Sequence, residues 1–245
     1  MADGSDHPPD SGARTATGPA ADTAAAAVNP SYVLLRHDIA DRVPLSADRI
    51  LDVGAADGTL GTFLLAQRPG REVHGIEADA TLAATASSRL TSLYTGDVEA
   101  VDWARFDGGG PFDCVVLGDV LEHLRDPGAV LAAVAARVSP GGTVIVSVPN
   151  IRHVSAWWSI FVRGSFPLRS RGLFDATHLR WFTRRDTEEL VRGAGLRVTG
   201  VGYNLRLLDR PGGRVNEWVA RQRWITRVPL LRELLGYQVL VTAIR

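Results

Sequence analysis

The sequence predicts a doubly wound α/β fold, a mostly parallel sheet covered by helices on both faces. Three observations predict it. Short runs such as 49–54 (RILDVG), 112–119 (FDCVVLGD) and 143–149 (TVIVSVP) are nearly apolar throughout, as strands buried on both faces are. Longer helical patterns stand between them, and strands alternating with helices build a parallel sheet. The first strand also turns through small residues into a helix, the kind of junction at which such sheets hold ligands.

The elements follow in order. Residues 1–28 are mainly Ala, Asp, Gly, Pro, Ser and Thr, with too little apolar surface to offset the entropy of ordering, and read as a disordered tail. Tyr32, Leu35, Ile39 and Val43 recur at close to helical spacing, so a helix over 29–43 is expected ahead of the main domain. Strand 49–54, helix 59–67, strand 72–77, helix 80–90 and strand 92–97 come next. Strand 112–119, helix 127–138 and strand 143–149 continue the alternation. An aromatic and basic stretch with Trp157, Trp158, Phe161 and Phe166 then interrupts it, and 151–182 reads as a cap inserted after the fifth strand. The alternation returns with helix 184–193, which Thr183 can cap, strand 197–203, a helix over 215–222 and strand 238–244. The expectation is one domain spanning 29–245.

Composition narrows the function classes. The 245 residues are 45% hydrophobic and 22% charged, which excludes wholesale disorder and coiled coil. Cys114, the single cysteine, cannot form an internal disulfide and sits among apolar strand residues, so it reads as an inert core thiol. No apolar stretch reaches the roughly 18 residues of a membrane span, and the start lacks a signal-peptide pattern, so the expected compartment is cytoplasmic. All 27 basic residues are arginine. The zero net charge divides unevenly: residues 1–150 hold 20 acidic and 10 basic residues, a balance of −10, and residues 151–245 hold 7 and 17, a balance of +10. The basic part either meets an anionic substrate or lipid surface, or pairs with the acidic part. Within it, 218–235 could form a basic amphipathic helix on a membrane surface, although Pro229 breaks its middle.

The chemistry begins at Leu51-Asp52-Val53-Gly54-Ala55-Ala56-Asp57-Gly58. Small residues there let backbone approach a ligand closely, and the N–H groups of the following helix favour an anionic group, which implies a nucleotide-type ligand. A dinucleotide fingerprint starting at Gly54 would need glycine where Ala56 and Thr59 stand. Asp52, Gly54 and Gly58 instead resemble the first motif of the S-adenosylmethionine (SAM) dependent methyltransferases, with Ala56 in place of the usual middle glycine. Glu77, 23 residues after Gly54, ends the second strand, where a carboxylate can accept from both ribose hydroxyls. Gly96-Asp97-Val98, Phe112-Asp113 and Ser139-Pro140-Gly141-Gly142 resemble the later motifs of the family in the expected order. The resemblance, to the Rossmann-like class and its MetW and UbiG-like bacterial group, implies a seven-stranded sheet with an antiparallel final strand. It implies that Asp52, Gly54, Ala55, Ala56 and Gly58 surround the methionine portion of SAM and that Glu77 meets the ribose. Asp97 and Val98 would meet the adenine, and Asp119 would meet the methionine amino end or serve as a helper.

Two histidines stand where an acceptor should lie: His123 in Asp119-Val120-Leu121-Glu122-His123, and His178 in Asp175-Ala176-Thr177-His178. An imidazole near its usual pKa suits removal of a hydroxyl proton, so both are candidate catalytic residues. If the chain turns helical at Asp119, then Asp119, Glu122 and His123 share one face. This resembles the E-x-x-E-H metal site of ubiquinone-pathway and small-RNA O-methyltransferases, with His178 as a fourth ligand. The ligand set stays open, and Mg²⁺ is not the favoured reading. The aromatic side chains and Arg152, Arg163, Arg169 and Arg171 of the insert could hold a ring and an anionic group. The expected reaction is methylation of a hydroxyl on a small metabolite or a glycosylated, anionic acceptor of a secondary-metabolite or glycan pathway. N-methylation of an amino sugar or amine is the alternative, and RNA as acceptor ranks below both. A non-enzymatic SAM-binding partner protein ranks last.

Overall fold

The computed structural model describes residues 34–103, 106, 110–209 and 212–245. The expected tail and the first residues of the expected 29–43 helix, Tyr32 among them, lie outside these. The alternating sequence folds into strands β1 (Arg49–Val53), β2 (Glu72–Glu77), β3 (Ser92–Thr95), β4 (Phe112–Gly118), β5 (Val138–Pro149), β6 (Arg197–Leu205) and β7 (Gly236–Ile244). They form one seven-stranded sheet in the order β3-β2-β1-β4-β5-β7-β6. β1 to β5 pair in parallel, and β7 runs antiparallel to both β5 and β6. The chain moves outward from β1 to β3, then crosses back to place β4 against the other side of β1. Loops leaving β1 and β4 therefore diverge and open a cleft at the carboxyl ends of those strands.

Side-chain alternation along the strands builds the layers. Val115 and Leu117 of β4 face a core shared with Leu131 and Val134 of helix α4 (Pro127–Ala135) and Val191 of helix α6 (Arg184–Gly193). Cys114 and Val116 face the opposite core with Ile39 of helix α1 (His37–Ala40) and Leu64 of helix α2 (Thr59–Gln67). Cys114 is fully buried and its thiol is pushed up to about 12 by that burial, in keeping with an inert role. Thr183 caps α6 through a reciprocal pair of bonds with Asp186.

Several boundaries move for local reasons. Helix α3 (Ala80–Ala86) stops short of Leu90, because Ser87 and Ser88 bond their hydroxyls to the carbonyls of Ala84 and Thr85. α4 ends at Ala135 because β5 begins at Val138; residues 139–142 bulge out between the pairs Phe112–Val138 and Cys114–Thr143, with Gly141 at φ +79°. The Pro-Gly-Gly run is thus a bulge inside β5 rather than a turn before it. In the described part of the expected first helix, only His37–Ala40 is helical.

The insert starts with helix α5 (Val154–Trp157), which widens into a turn over Trp158–Val162. Its inner face, Ala156, Leu173 and Phe174, packs on Tyr237 of β7, and Phe166 meets the rings of Phe174 and Trp181 edge-on. Trp157, Trp158 and Phe161 are exposed. The stretch 218–235 is no continuous helix: it comprises the end of helix α7 (Arg214–Ala220), a 3-10 turn and helix α8 (Pro229–Leu235), with Pro229 in the first turn of α8. Val219 and Ile225 are buried against Leu205, and Leu231 and Leu235 pack on the same cluster, whereas Trp218, Trp224, Val228 and Leu230 are exposed. Among the described residues no helix is long and apolar enough to cross a membrane.

Candidate active site

Backbone geometry sets the side of the cleft that carries the glycine loop. Gly54, Ala56 and Gly58 all have left-handed φ, +73°, +48° and +81°. A side chain at Gly54 would also strike Val120 Cγ2 at 2.6 Å, so only glycine fits beside the Val120 side chain there. Ala56 adopts a conformation that favours glycine, and its N–H donates to Glu77 Oε2 at 2.7 Å. The other Glu77 oxygen accepts from Asp79 N at 2.8 Å, so the carboxylate is held between the glycine loop and the start of α3. Asp52 is 3% exposed; burial, with the charge of Glu77 adding, raises it to about 7. Asp97 caps the turn after β3 by accepting from Glu99 N at 2.8 Å, and Val98 is buried beside it.

The loop after β4 carries the reacting side. Asp119 has φ +58°, so the chain does not turn helical there, and the expected shared face of Asp119, Glu122 and His123 does not form. Asp119 instead accepts from Arg36 Nη1 and from Gln238 Nε2, the latter at 2.6 Å. Arg36 is further held by Asp38 and Ser147. Burial alone would lower the Arg36 pKa, but the charges of Asp119 and Asp38 and their hydrogen bonds raise it above its ordinary value.

A 3-10 turn over Leu121–His123 then brings Glu122 and His123 against the loop that carries His178. Both Leu179 N and Arg180 N donate to the Glu122 carbonyl, at 2.8 and 3.1 Å. The rings of His123 and His178 are 4.8 Å apart and nearly perpendicular. Ligand atoms of Glu122, His123 and His178 lie within 4.8 Å of one another. Glu122 is 1% exposed, and neither carboxylate oxygen has a hydrogen-bond partner. Burial, reinforced by Asp119, pushes its pKa well above the usual carboxylate range. His178 is 9% exposed with Nδ1 unpartnered, and burial followed by repulsion from His123 lowers its pKa.

Hydrogen bonding also orients His123. Its Nδ1 lies 3.3 Å from the Thr177 carbonyl and 3.2 Å from the Thr177 hydroxyl, which itself donates to Asp175 at 2.7 Å. A carbonyl only accepts, so Nδ1 carries the proton and Nε2 presents a lone pair. These groups border a cavity of about 430 Å³ also lined by Arg171 and Arg206. Neither arginine has an ion-pair partner among the described residues, whereas Asp209 beside them is taken up by Arg169 and by the Tyr237 hydroxyl, both at 2.7 Å.

Comparison with known proteins places this geometry. Residues 26–201 match the methyltransferase domain family. The chain belongs to that family. A ubiquinone biosynthesis O-methyltransferase of Xylella fastidiosa is 31% identical over 197 residues, 78% of this chain and 74% of that protein. Another with the same name, from Xanthomonas euvesicatoria, is 34% identical over 82% of this chain and 80% of its own length. Among solved structures, a SAM-dependent methyltransferase from Archaeoglobus fulgidus shares the fold at 16% identity with a TM-score of 0.57, covering 82% of this chain and 87% of that one. One from Mesorhizobium loti does so at 18% and 0.56, covering 85% and 96%. The protein is a SAM-dependent methyltransferase with the Rossmann-like fold.

In this methyltransferase, the motif residues Asp52, Gly54, Ala55, Ala56, Gly58, Glu77, Asp97 and Val98 lie on β1 to β3 or just beyond their carboxyl ends, and His123 and His178 meet across one cavity. Of the four insert arginines singled out from sequence, only Arg171 lines that cavity; Arg169 pairs with Asp209, Arg152 approaches Glu233 at 3.6 Å, and Arg163 is exposed. Arg36, Thr177, Arg206 and Gln238 were not found from sequence. Only Gln238 left a signal there, as the single amide at the head of an apolar strand.

Replacing Ala56 with glycine relieves a left-handed alanine at about 1–2 kcal/mol and adds about 0.4–1 kcal/mol of unfolded-state entropy, so A56G is expected to match or exceed the parent by up to about 1.6 kcal/mol in urea unfolding. A clear loss would contradict the strain. For Asp52, a folded pKa above the unfolded one costs stability that is absent near pH 4, grows as pH rises toward 7, and is complete above it. The cost is on the order of 4 kcal/mol. The stability of Asp52→Asn relative to the parent should therefore rise between pH 5 and pH 8, and a gap that does not change with pH would refute the assignment.

Proposed function

We propose that this methyltransferase transfers the SAM methyl group to a hydroxyl of a small acceptor that carries a carboxylate or phosphate. The observation that carries this reading is the cluster of Glu122, His123 and His178, with its unpartnered polar atoms, on a cavity that also holds two arginines without a carboxylate partner among the described residues. Glu77 would accept from the ribose hydroxyls, Asp97 and Val98 would border the adenine, and Asp52, the 54–58 loop and Asp119 would surround the methionine portion. Arg171 and Arg206 are positioned to hold the acceptor's anionic group by charge-assisted hydrogen bonds. His123 Nε2 is the candidate base for the acceptor's hydroxyl proton, with Thr177 fixing the tautomer. Methyl transfer is an in-line displacement, in which holding the acceptor against the sulfonium can supply about 7–11 kcal/mol. The curated relatives named as O-methyltransferases support oxygen over nitrogen as the receiving atom.

The cluster also fits a divalent metal. Two imidazoles and one carboxylate, all with open lone pairs and buried where an unpaired Glu122 is costly, form a donor set richer in nitrogen than Mg²⁺ prefers and suited to Mn²⁺ or Zn²⁺. Bound there, such an ion would act as a Lewis acid toward the acceptor oxygen. Glu122, His123 and His178 would hold it, and the Asp175–Thr177 pair would orient His123 behind it.

Glu77→Ala should weaken S-adenosylhomocysteine at least tenfold by calorimetry, and unchanged affinity would remove Glu77 from the cofactor site. With hydroxylated aromatic acids as acceptors, His123→Ala and His178→Ala should each cost about 10²–10⁴ in kcat. Thr177→Val should lower kcat with little effect on KM. Activity lost on EDTA dialysis and restored by Mn²⁺ or Zn²⁺ identifies the metal form, and activity that survives EDTA identifies His123 as the base. Histidine variants within threefold of the parent would overturn the reading.

A further inference from the structure

A second cavity, of about 480 Å³, lies at the far edge of the sheet from the cofactor loop, around the exposed strand β6. Arg42 reaches it from the segment after α1, Arg184 from the first turn of α6 and Arg232 from α8, while Gly202 and Tyr203 of β6 form its floor. Gly202 has a structural reason: a Cβ there would collide with the Arg42 guanidinium, which lies across the strand. Arg42 is fixed in that pose by a bond from Nη1 to the Asp38 carbonyl.

The charges around this cavity do not balance. Glu233, buried behind it, accepts from Tyr203 Oη at 2.9 Å and Arg184 Nε at 3.0 Å, and also faces Arg152 and Arg232 at 3.6 and 4.0 Å. Glu188 serves both Arg184 and Arg192. Four arginines, 152, 184, 192 and 232, thus share two carboxylates, and Arg232 Nε is buried with no hydrogen-bond partner among the described residues. Asp38 pairs with Arg36 and is shared with the charge of Arg42. Guanidinium groups gathered without counter-ions repel one another, and an oxyanion with several acceptor oxygens removes that cost and fills their donors in forked pairs.

We propose that this edge cavity is an anion site, separate from the reaction site, for a ligand carrying two or more phosphate groups. Arg42 and Arg232 grip it from the two faces of β6, and Arg184, already tied to Glu233, forms the wall between them. Its volume admits a diphosphate and the group it is attached to. Glu233 sets the depth, since it closes the inner end with negative charge and keeps the ligand at the arginine rim.

The experiment is titration of the full chain with pyrophosphate and with ADP by calorimetry at low salt and saturating S-adenosylhomocysteine. The parent should bind pyrophosphate with a dissociation constant below about 1 mM, and Arg42→Gln/Arg232→Gln should bind it at least tenfold more weakly. Gly202→Val, a residue well suited to an edge strand, should lose binding by displacing Arg42. Arg163→Gln on the exposed insert should bind as the parent does. ADP tighter than pyrophosphate identifies a nucleotide as the source of the phosphates, and equal binding identifies free diphosphate. The proposal is overturned if the parent binds neither probe, if the double variant and Gly202→Val keep parental affinity, or if Arg163→Gln loses as much.

Discussion

Two hydrogen bonds onto one carbonyl hold the reacting side of this molecule together. Leu179 and Arg180 both donate to the Glu122 carbonyl, and through them the insert's exit loop is fixed to the turn after β4. Without that attachment His178 would belong to a loop over the cleft, and Glu122 and His123 would form a lone pair of ligands on a 3-10 turn. With it, two imidazoles and a carboxylate from segments more than fifty residues apart share one cavity. Trp181, whose indole donates to the Leu173 carbonyl, and Phe166 anchor the same loop from its other side.

The protein invests stability in this cleft. Asp52 and Glu122 are carboxylates that burial drives toward the neutral form, and Ala56 and Asp119 hold left-handed backbone that costs about 1–2 kcal/mol at a non-glycine residue. Such strain and desolvation persist where neighbours over-determine the conformation. Here those neighbours are visible: Glu77 holds the Ala56 N–H, and Arg36 with Gln238 holds Asp119. A bound cofactor, acceptor or cation would offset the cost of these buried, unpaired groups.

Charge segregation along the chain becomes local order in space. The principal ion pairs run within each part: Arg49–Glu72, Arg68–Asp48 and Arg89–Asp57 in the acidic part, Arg169–Asp209, Arg184–Glu233 and Arg192–Glu188 in the basic part. The arginine-rich part does not neutralise the acidic one through these pairs. Its surplus collects at the reaction cavity, as Arg171 and Arg206, and at the β6 edge, where arginines on both sides also discourage pairing with another strand.

The sequence by itself determined the sheet, its strands and the glycine loop after β1. Each depends on short-range physics: apolar runs bury themselves, and glycine marks left-handed turns. It also marked His123 and His178 singly, through their position near strand ends and the insert. It could not show that Asp119 turns away from Glu122, because a single left-handed φ, stabilised by Arg36 and Gln238 from opposite ends of the chain, decides that orientation. Nor could it show that Arg169 is consumed by Asp209 while Arg206 is not, or that Thr177 sets the tautomer of His123. Those facts depend on which side chains meet across distant segments, and only the closed tertiary structure, with burial raising the energy of every unpaired charge, selects among the pairings the sequence allows.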